Sequence, residues 1–439
     1  VTSHHIDLGW TLGHIAHVLG GVVRGDSDVE ITSVTIDSRS VPSGSLFVAI
    51  AGEHFDGHNF AAAAIAAGAG AVVVERGRCV GVEPRIEVEG TLEALKGLAS
   101  KRRSELAMPV IAVTGSTGKT STKDLLEAGI AGSWASPRSY NNEIGVPLTV
   151  LSTPSSAAAL IVEVGSRGAG HIRWLAPAVR PDVAVITNLG VVHLETFGSE
   201  SGLADAKFEL IEALAPSGVA ILPSDEPRLR RQADRRTLTF GPPPADIAVT
   251  RSDVDENGSV TFGLTIDDVT YSGRLAMAGS HQALNAAAAV GVCCALGLAI
   301  DPFIDRMSAA TGSQWRMDVH RGRYTVVNDT YNANPQSVAS ALETVAAMPG
   351  RSIAVLGAMA ELGGVCEAQH RAMGQLAATL GFERLILVGP DHGYALGAAH
   401  LVEHATNTDA ALDTLTGILG PGDVVLVKAS RSAGLERLA

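Results

Sequence analysis

The chain has 439 residues, a formal net charge of -13 and 46% hydrophobic residues, enough apolar material for several globular domains with their own cores. The acidic balance excludes a nucleic-acid partner, whose phosphate backbone demands a basic footprint. Four cysteines, Cys79, Cys293, Cys294 and Cys366, have neither metal-ligand spacing nor disulfide density, which fits a reducing compartment.

Val1 to Asp7 lack the basic start and apolar run of a signal peptide, so a cytoplasmic protein is expected. From about Val29 to Val88 short apolar runs alternate with turns: Ser45 to Ile50, the Ala-rich Asn59 to Ala69, and Gly70 to Val74. This predicts a small α/β domain. A charged helical segment, Leu92 to Leu106, leads into the next domain.

Pro109 to Val113 reads as a buried parallel strand and runs into Gly115-Ser116-Thr117-Gly118-Lys119-Thr120-Ser121, followed by a helix to Ile130. Glycines there let successive N–H groups point at phosphate oxygens beside the positive end of the helix. Lys119 would reach the terminal phosphates and the Thr120 hydroxyl would hold Mg2+. The apolar runs Ala159 to Val162, Val183 to Ile186 and Gly218 to Leu222 alternate with helical patterns, which predicts a parallel doubly wound sheet. Between Asp246 and Leu275 the period changes to two, with Asn257-Gly258 as a hairpin signal, so antiparallel strands are expected on that sheet. Gln282 to Ile300 is long and uncharged, but rich in Ala and Gly with Gln282 and Asn285 inside it. A helix buried in protein is expected there rather than a membrane span.

From Trp315 onward a third βα unit follows, with strands at Thr325, Ile353, Leu385 and Val424 and helices at Pro335, Gln369 and Ala410. Its order is that of a dinucleotide-binding fold, but no G-x-G-x-x-G follows the first strand, which argues against a dinucleotide. The expected architecture is α/β in three domains: residues 1–106, small and α/β; 107–313, a P-loop parallel-sheet ATPase domain; and 314–439, Rossmann-like.

In open α/β sheets reactive groups collect beyond the carboxyl ends of the strands. Glu163, Asn188 with His193 in the ensuing loop, and Asp329 all occupy such positions, and a carboxylate and an imidazole there suit one or two Mg2+ ions. Lys207 lies on the apolar stripe Leu203, Leu210, Ile211, Leu214 of a helix. Its pattern fits a stem snorkelling to the surface, or an amine that reacts with CO2 to give a metal-binding carbamate. His281 and Asn285 are four apart and face one way, as ligands or caps. Asp329 to Pro335 is a polar turn opening a helix, and Arg316 at the second domain junction suits either a terminal phosphate or an interdomain salt bridge.

Taken together, these residues resemble the Mur ligases of peptidoglycan synthesis over nearly the whole chain. The resemblance rests on Asp37-Ser38-Arg39, Phe55-Asp56-Gly57-His58, the loop Gly115 to Ser121, Asn141 to Pro147, Glu163 with Arg167-Gly168, Thr187 to Gly190 with His193-Leu194, Ala206-Lys207, His281 with Asn285, Arg316, Asp329 with Tyr331 to Pro335, and Lys428 with Ser430-Arg431.

The resemblance implies a UDP-sugar domain, a central ATPase domain and a C-terminal domain that closes over the site. It implies ATP-driven amide formation through an acyl phosphate between a UDP-linked muramoyl peptide and D-Ala-D-Ala. Separately, a monomer is expected. Ser38 and Arg39 would hold the uridine nucleotide, with Asn141, Asn142, Arg167 and Lys428 also toward substrate. Lys119 would hold phosphates, Thr120 and Glu163 magnesium, His193 a second magnesium, and Lys207, as a carbamate, would support it. His281, Asn285, Arg316, Asp329 and Asn334 would contact ATP. Gln282, Ala358, Ala429 and Pro223-Ser224-Asp225 depart from the family pattern. They leave room for a paralogue joining another carboxylate and amine; a nucleotide-regulated binding protein is the reading from a different class.

Overall fold

The computed structural model describes residues 8–190, 197–229 and 235–439. Its first sheet has five strands in the order Val22–Arg24, Arg85–Val88, Ala71–Glu75, Leu46–Val48, Val34–Thr35, all parallel except the antiparallel edge strand Val22–Arg24. Successive side chains point to opposite faces of a strand. Phe47, Val72 and Val74 therefore pack under the helix Ala61–Ala66, while Leu46, Val48, Val73 and Ile86 face the rest of the molecule. That second face merges through Leu95, Leu98 and Ala99 of the helix Thr91–Glu105 with the core of the central sheet.

The central sheet has nine strands. In spatial order they are Val269–Ala278, Ser259–Ile266, Ile247–Val254, Arg236–Gly241, Val219–Pro223, Val183–Ile186, Val110–Thr114, Leu160–Glu163 and Trp134–Ala135. From Ile247–Val254 to Trp134–Ala135 neighbours run parallel, and the last two hairpin strands extend the edge antiparallel. Val110–Thr114 lies where the chain leaves to one side and then returns to the other, the switch point at which ligands bind in such sheets. Register aligns Glu163 with Val113 and Ile186 with Thr114, so three strand ends open onto one crevice.

The stretch expected as one helix from Gln282 to Ile300 is two, Gln282–Ala295 and Ile300–Met307. Gly297 at φ +66° breaks them, a conformation that costs a residue without Cβ little. No described helix is long and apolar enough to cross a membrane.

The third sheet has six strands in the order Asp318–Arg321, Thr325–Asp329, Val424–Lys428, Ser352–Leu356, Arg384–Val388, Val402–Ala405, parallel after an antiparallel first hairpin. The last strand of the chain is inserted beside the first parallel one, which brings Asp329 into register with Lys428.

Candidate active site at the phosphate loop

Two positions in the loop after Val110–Thr114 require glycine. Gly115 has φ +145° and Gly118 φ +78°; a Cβ would come within 1.9 Å of Thr187 Oγ1 at the first and 2.5 Å of Asn285 Oδ1 at the second. The loop is fixed from the neighbouring strand end. Thr117 N donates to Asn188 Oδ1 at 2.9 Å, Asn188 Nδ2 donates to Thr117 Oγ1 at 2.7 Å, and Thr187 Oγ1 donates to the Thr117 carbonyl at 2.5 Å. Helix Lys119–Gly129 follows at once, so its unpaired N–H groups face the loop.

Lys119 folds back on this loop, donating from Nζ to the carbonyls of Gly115 at 2.7 Å and Ser116 at 3.2 Å. Burial, partly offset by Glu163, lowers its pKa to about 8. Thr120 Oγ1 donates to Glu163 Oε2 at 2.7 Å, and Asn141 Nδ2 donates to Glu163 Oε1 at 2.6 Å. Glu163 is completely buried, the last residue of its strand. A hydroxyl and one carboxylate are hard oxygen donors of the kind Mg2+ takes alongside waters and phosphate oxygens. The glycine cradle and this donor pair fit a magnesium-bound nucleotide. Among the described residues no cluster of three or more His, Cys, Asp or Glu could hold a metal by itself.

Lys207 is 4% exposed, in helix Glu200–Glu212. Burial, and then the charge of Lys119, push its pKa well below the usual lysine value, and among the described residues no carboxylate pairs with it. Its Nζ lies 5.9 Å from the centre of the Phe197 ring. The snorkelling alternative is thus excluded: the amine faces inward.

Across the crevice the third sheet contributes Arg316, stacked 4.0 Å over the Tyr331 ring with Nη2 donating to Ser139 Oγ at 3.2 Å. Ser139 Oγ is in turn 3.3 Å from Thr120 Oγ1. Lys428 Nζ is buried against Asp329 Oδ2 at 2.5 Å and the Asn332 carbonyl at 2.9 Å. His281 has its pKa lowered to about 4, first by burial, and its Nδ1 is buried without a partner among the described residues. Asn285 Nδ2 donates to Gln282 Oε1 at 2.8 Å. Asn334 caps helix Pro335–Ala346 in a reciprocal box with Ser337, and Asn142 Oδ1 accepts from the Gly145 N–H at 2.8 Å, so both also have structural work. Arg167 reaches Glu143 at 2.6 Å.

One cavity of about 430 Å³ lies between the central and third sheets and collects these groups. The loop, Asn141, Asn142, Glu163, Arg167, Lys207, His281, Asn285, Arg316, Asp329, Asn334 and Lys428 all line it. Ser38 and Arg39 do not: Arg39 is exposed in the first sheet's domain and paired with Asp37 at 2.8 Å. His193 lies outside the described residues. Sequence reasoning missed Ser139, Asp225 and Gln336; of these only Asp225, just past a strand, carried a positional signal.

This fold and site define a P-loop α/β enzyme class in which a separate C-terminal lobe faces the phosphate loop. Residues 30–103, 113–293 and 315–431 match, respectively, the Mur ligase family catalytic domain, the Mur ligase middle domain and the Mur ligase glutamate ligase domain. The UDP-N-acetylmuramoyl-tripeptide–D-alanyl-D-alanine ligase of Escherichia coli (strain K12) is 33% identical, covering 98% of this chain and 97% of its own. The enzyme of that name from Mycobacterium tuberculosis (strain H37Rv) is 36% identical, covering 98% and 96%. Among solved structures, MurF from Acinetobacter baumannii superposes with a TM-score of 0.89 at 29% identity, covering 98% and 97%. MurF ligase from Thermotoga maritima in complex with ADP superposes at 0.83 and 29%, covering 92% and 96%. The chain belongs to the Mur ligase family.

Proposed function

We infer that this chain is an ATP-dependent ligase that adds D-Ala-D-Ala to UDP-N-acetylmuramoyl-tripeptide in peptidoglycan precursor synthesis. The observation that carries the reading is the convergence of Lys119, Thr120, Glu163 and Lys207 on one cavity, in a chain that aligns end to end with ligases of that name. A paralogue with another substrate pair is not favoured by these full-length relatives.

The chemical obstacle is charge, because a carboxylate must approach a triphosphate. Its oxygen attacks the γ-phosphorus, ADP leaves with the β–γ bridging oxygen, and an acyl phosphate forms. The amine of D-Ala-D-Ala then attacks the acyl carbon; phosphate leaves and the amine gives up a proton. We assign Lys119, once released from the loop carbonyls, to the terminal phosphates, and Thr120 with Glu163 to magnesium. Bound magnesium supplies Lewis-acid charge neutralisation at the transferring phosphoryl group.

The lowered pKa of Lys207 leaves the neutral amine that CO2 requires, and loss of one proton on addition gives a carbamate, an anion in place of a buried cation. His193 is the proposed ligand of a second magnesium. Asn285, His281, Arg316, Asp329 and Asn334 are assigned to ATP, Asn141, Asn142, Arg167 and Lys428 to the acyl substrate, and Ser38 and Arg39 to its uridine nucleotide. The corresponding domains are 1–106, 107–313 and 314–439, in a cytoplasmic monomer. Closure of the third lobe excludes water, whose attack would waste the acyl phosphate.

The test is incubation with ATP, Mg2+, UDP-N-acetylmuramoyl-tripeptide and D-Ala-D-Ala, following ADP and product mass. ADP only with a different carboxylate and amine would replace this reading with the paralogue.

A further inference from the structure

We propose that Gln336 is a phosphate-contacting residue, carried by the C-terminal lobe, that distinguishes a nucleoside triphosphate from a diphosphate in the loop. The inference rests on the ligase reading and adds to it a residue outside its assigned site.

Gln336 is the second residue of helix Pro335–Ala346, whose start is locked by the Asn334–Ser337 capping box. From there its side chain crosses the seam between lobes, and Thr117 Oγ1 donates to Gln336 Oε1 at 3.3 Å. The same oxygen lies over the next strand end, where a Cβ on Gly190 would meet it at 2.6 Å.

Donor accounting orients the amide. Thr117 N is a donor, so the Asn188 atom it meets is Oδ1, and Asn188 Nδ2 must therefore donate to Thr117 Oγ1. The Thr117 hydroxyl proton then needs an acceptor, and Gln336 Oε1 provides it. Nε2 is consequently turned away from Thr117, on a side chain that lines the cavity beside the phosphate loop. Gln336 lines the same cavity as the phosphate loop, and its two N–H donors, supplied by the third lobe, are assigned to the terminal phosphate there.

The experiment uses the full-length protein with Mg2+ and compares affinities for the β,γ-imido analogue of ATP and for ADP, without turnover. Wild type prefers the triphosphate analogue. In Gln336→Ala that preference shrinks about tenfold, the worth of one hydrogen bond to a charged acceptor. In Gln336→Glu it shrinks further, because a carboxylate repels the phosphate.

Glutamate still accepts from Thr117 and suits the first turn of a helix, so a merely structural contact predicts a Glu variant like wild type. Unchanged preference in either variant, or no preference in wild type, overturns the proposal. Reading a ratio of affinities removes any loss of folded protein common to both measurements. Failure of the ligase assay would leave both affinities measurable, so the two readings fail separately.

Discussion

The two seams between lobes are built from opposite materials. Between the first and central sheets the core is continuous: Leu46, Val73 and Ile86 share one apolar cluster with Leu95 and Leu98 of the linking helix and with Val110 and Leu160 beyond it. Polar sutures reinforce this seam, with Arg102 Nη2 donating to the Thr153 carbonyl at 2.8 Å and Trp174 Nε1 donating to Glu93 at 2.6 Å. Between the central and third sheets the apolar clusters are separate, apart from Ala278, which packs with the third-lobe core. The contacts there include Arg316 donating to Ser139 at 3.2 Å and Thr117 to Gln336 at 3.3 Å. Apolar burial makes two lobes one body, whereas a polar, cavity-bearing seam leaves a surface that parts without exposing a core. The cavity lined by the phosphate loop lies in the second seam, where a ligand can enter without breaking an apolar core.

The largest test falls on the polar seam's charge. Lys119→Ala should lower ADP formation on the order of a thousandfold while leaving the melting temperature close to wild type, since a buried cation is removed. Lys207→Ala should cost on the order of a hundredfold. The carbon-13 carbamate resonance seen with labelled bicarbonate should vanish in that variant; full activity without it would contradict the assigned role. A mutation in the other seam should do the reverse. Leu98→Ala is expected to destabilise by about 2–5 kcal/mol, with the first and central lobes melting in one transition and kcat in the folded protein barely changed. Separate melting of the first lobe would break the contrast between seams.

The smallest effect is a pH dependence. Lys119 has a pKa lowered to about 8, and bound triphosphate favours its charged form. Below that pH nucleotide binding moves no proton onto this lysine; above it, binding takes up a proton and affinity falls up to about tenfold per pH unit. Calorimetry in buffers of different ionisation enthalpy measures the uptake, and Lys119→Arg should abolish it because arginine stays charged.

Strands buried on both faces were legible as apolar runs, as at Val110–Thr114 and Val183–Ile186. Arg236–Gly241, Asp318–Arg321 and Val402–Ala405 were not, because each carries polar residues on a partly exposed face; the last two are also edge strands, paired on one side only. Helix Tyr394–Ala398 was too short to show a period.

By itself the sequence determined the phosphate loop, since glycine geometry and the flanking strand and helix are local properties of consecutive residues. It also determined the succession of βα units and, through resemblance, the family. Only the tertiary structure decided that Lys207 turns inward, that Asp329 neutralises Lys428, and that Gln336 reaches Thr117 from another lobe. Those facts depend on strand order and lobe placement, which bring together residues up to 219 positions apart that no local pattern connects.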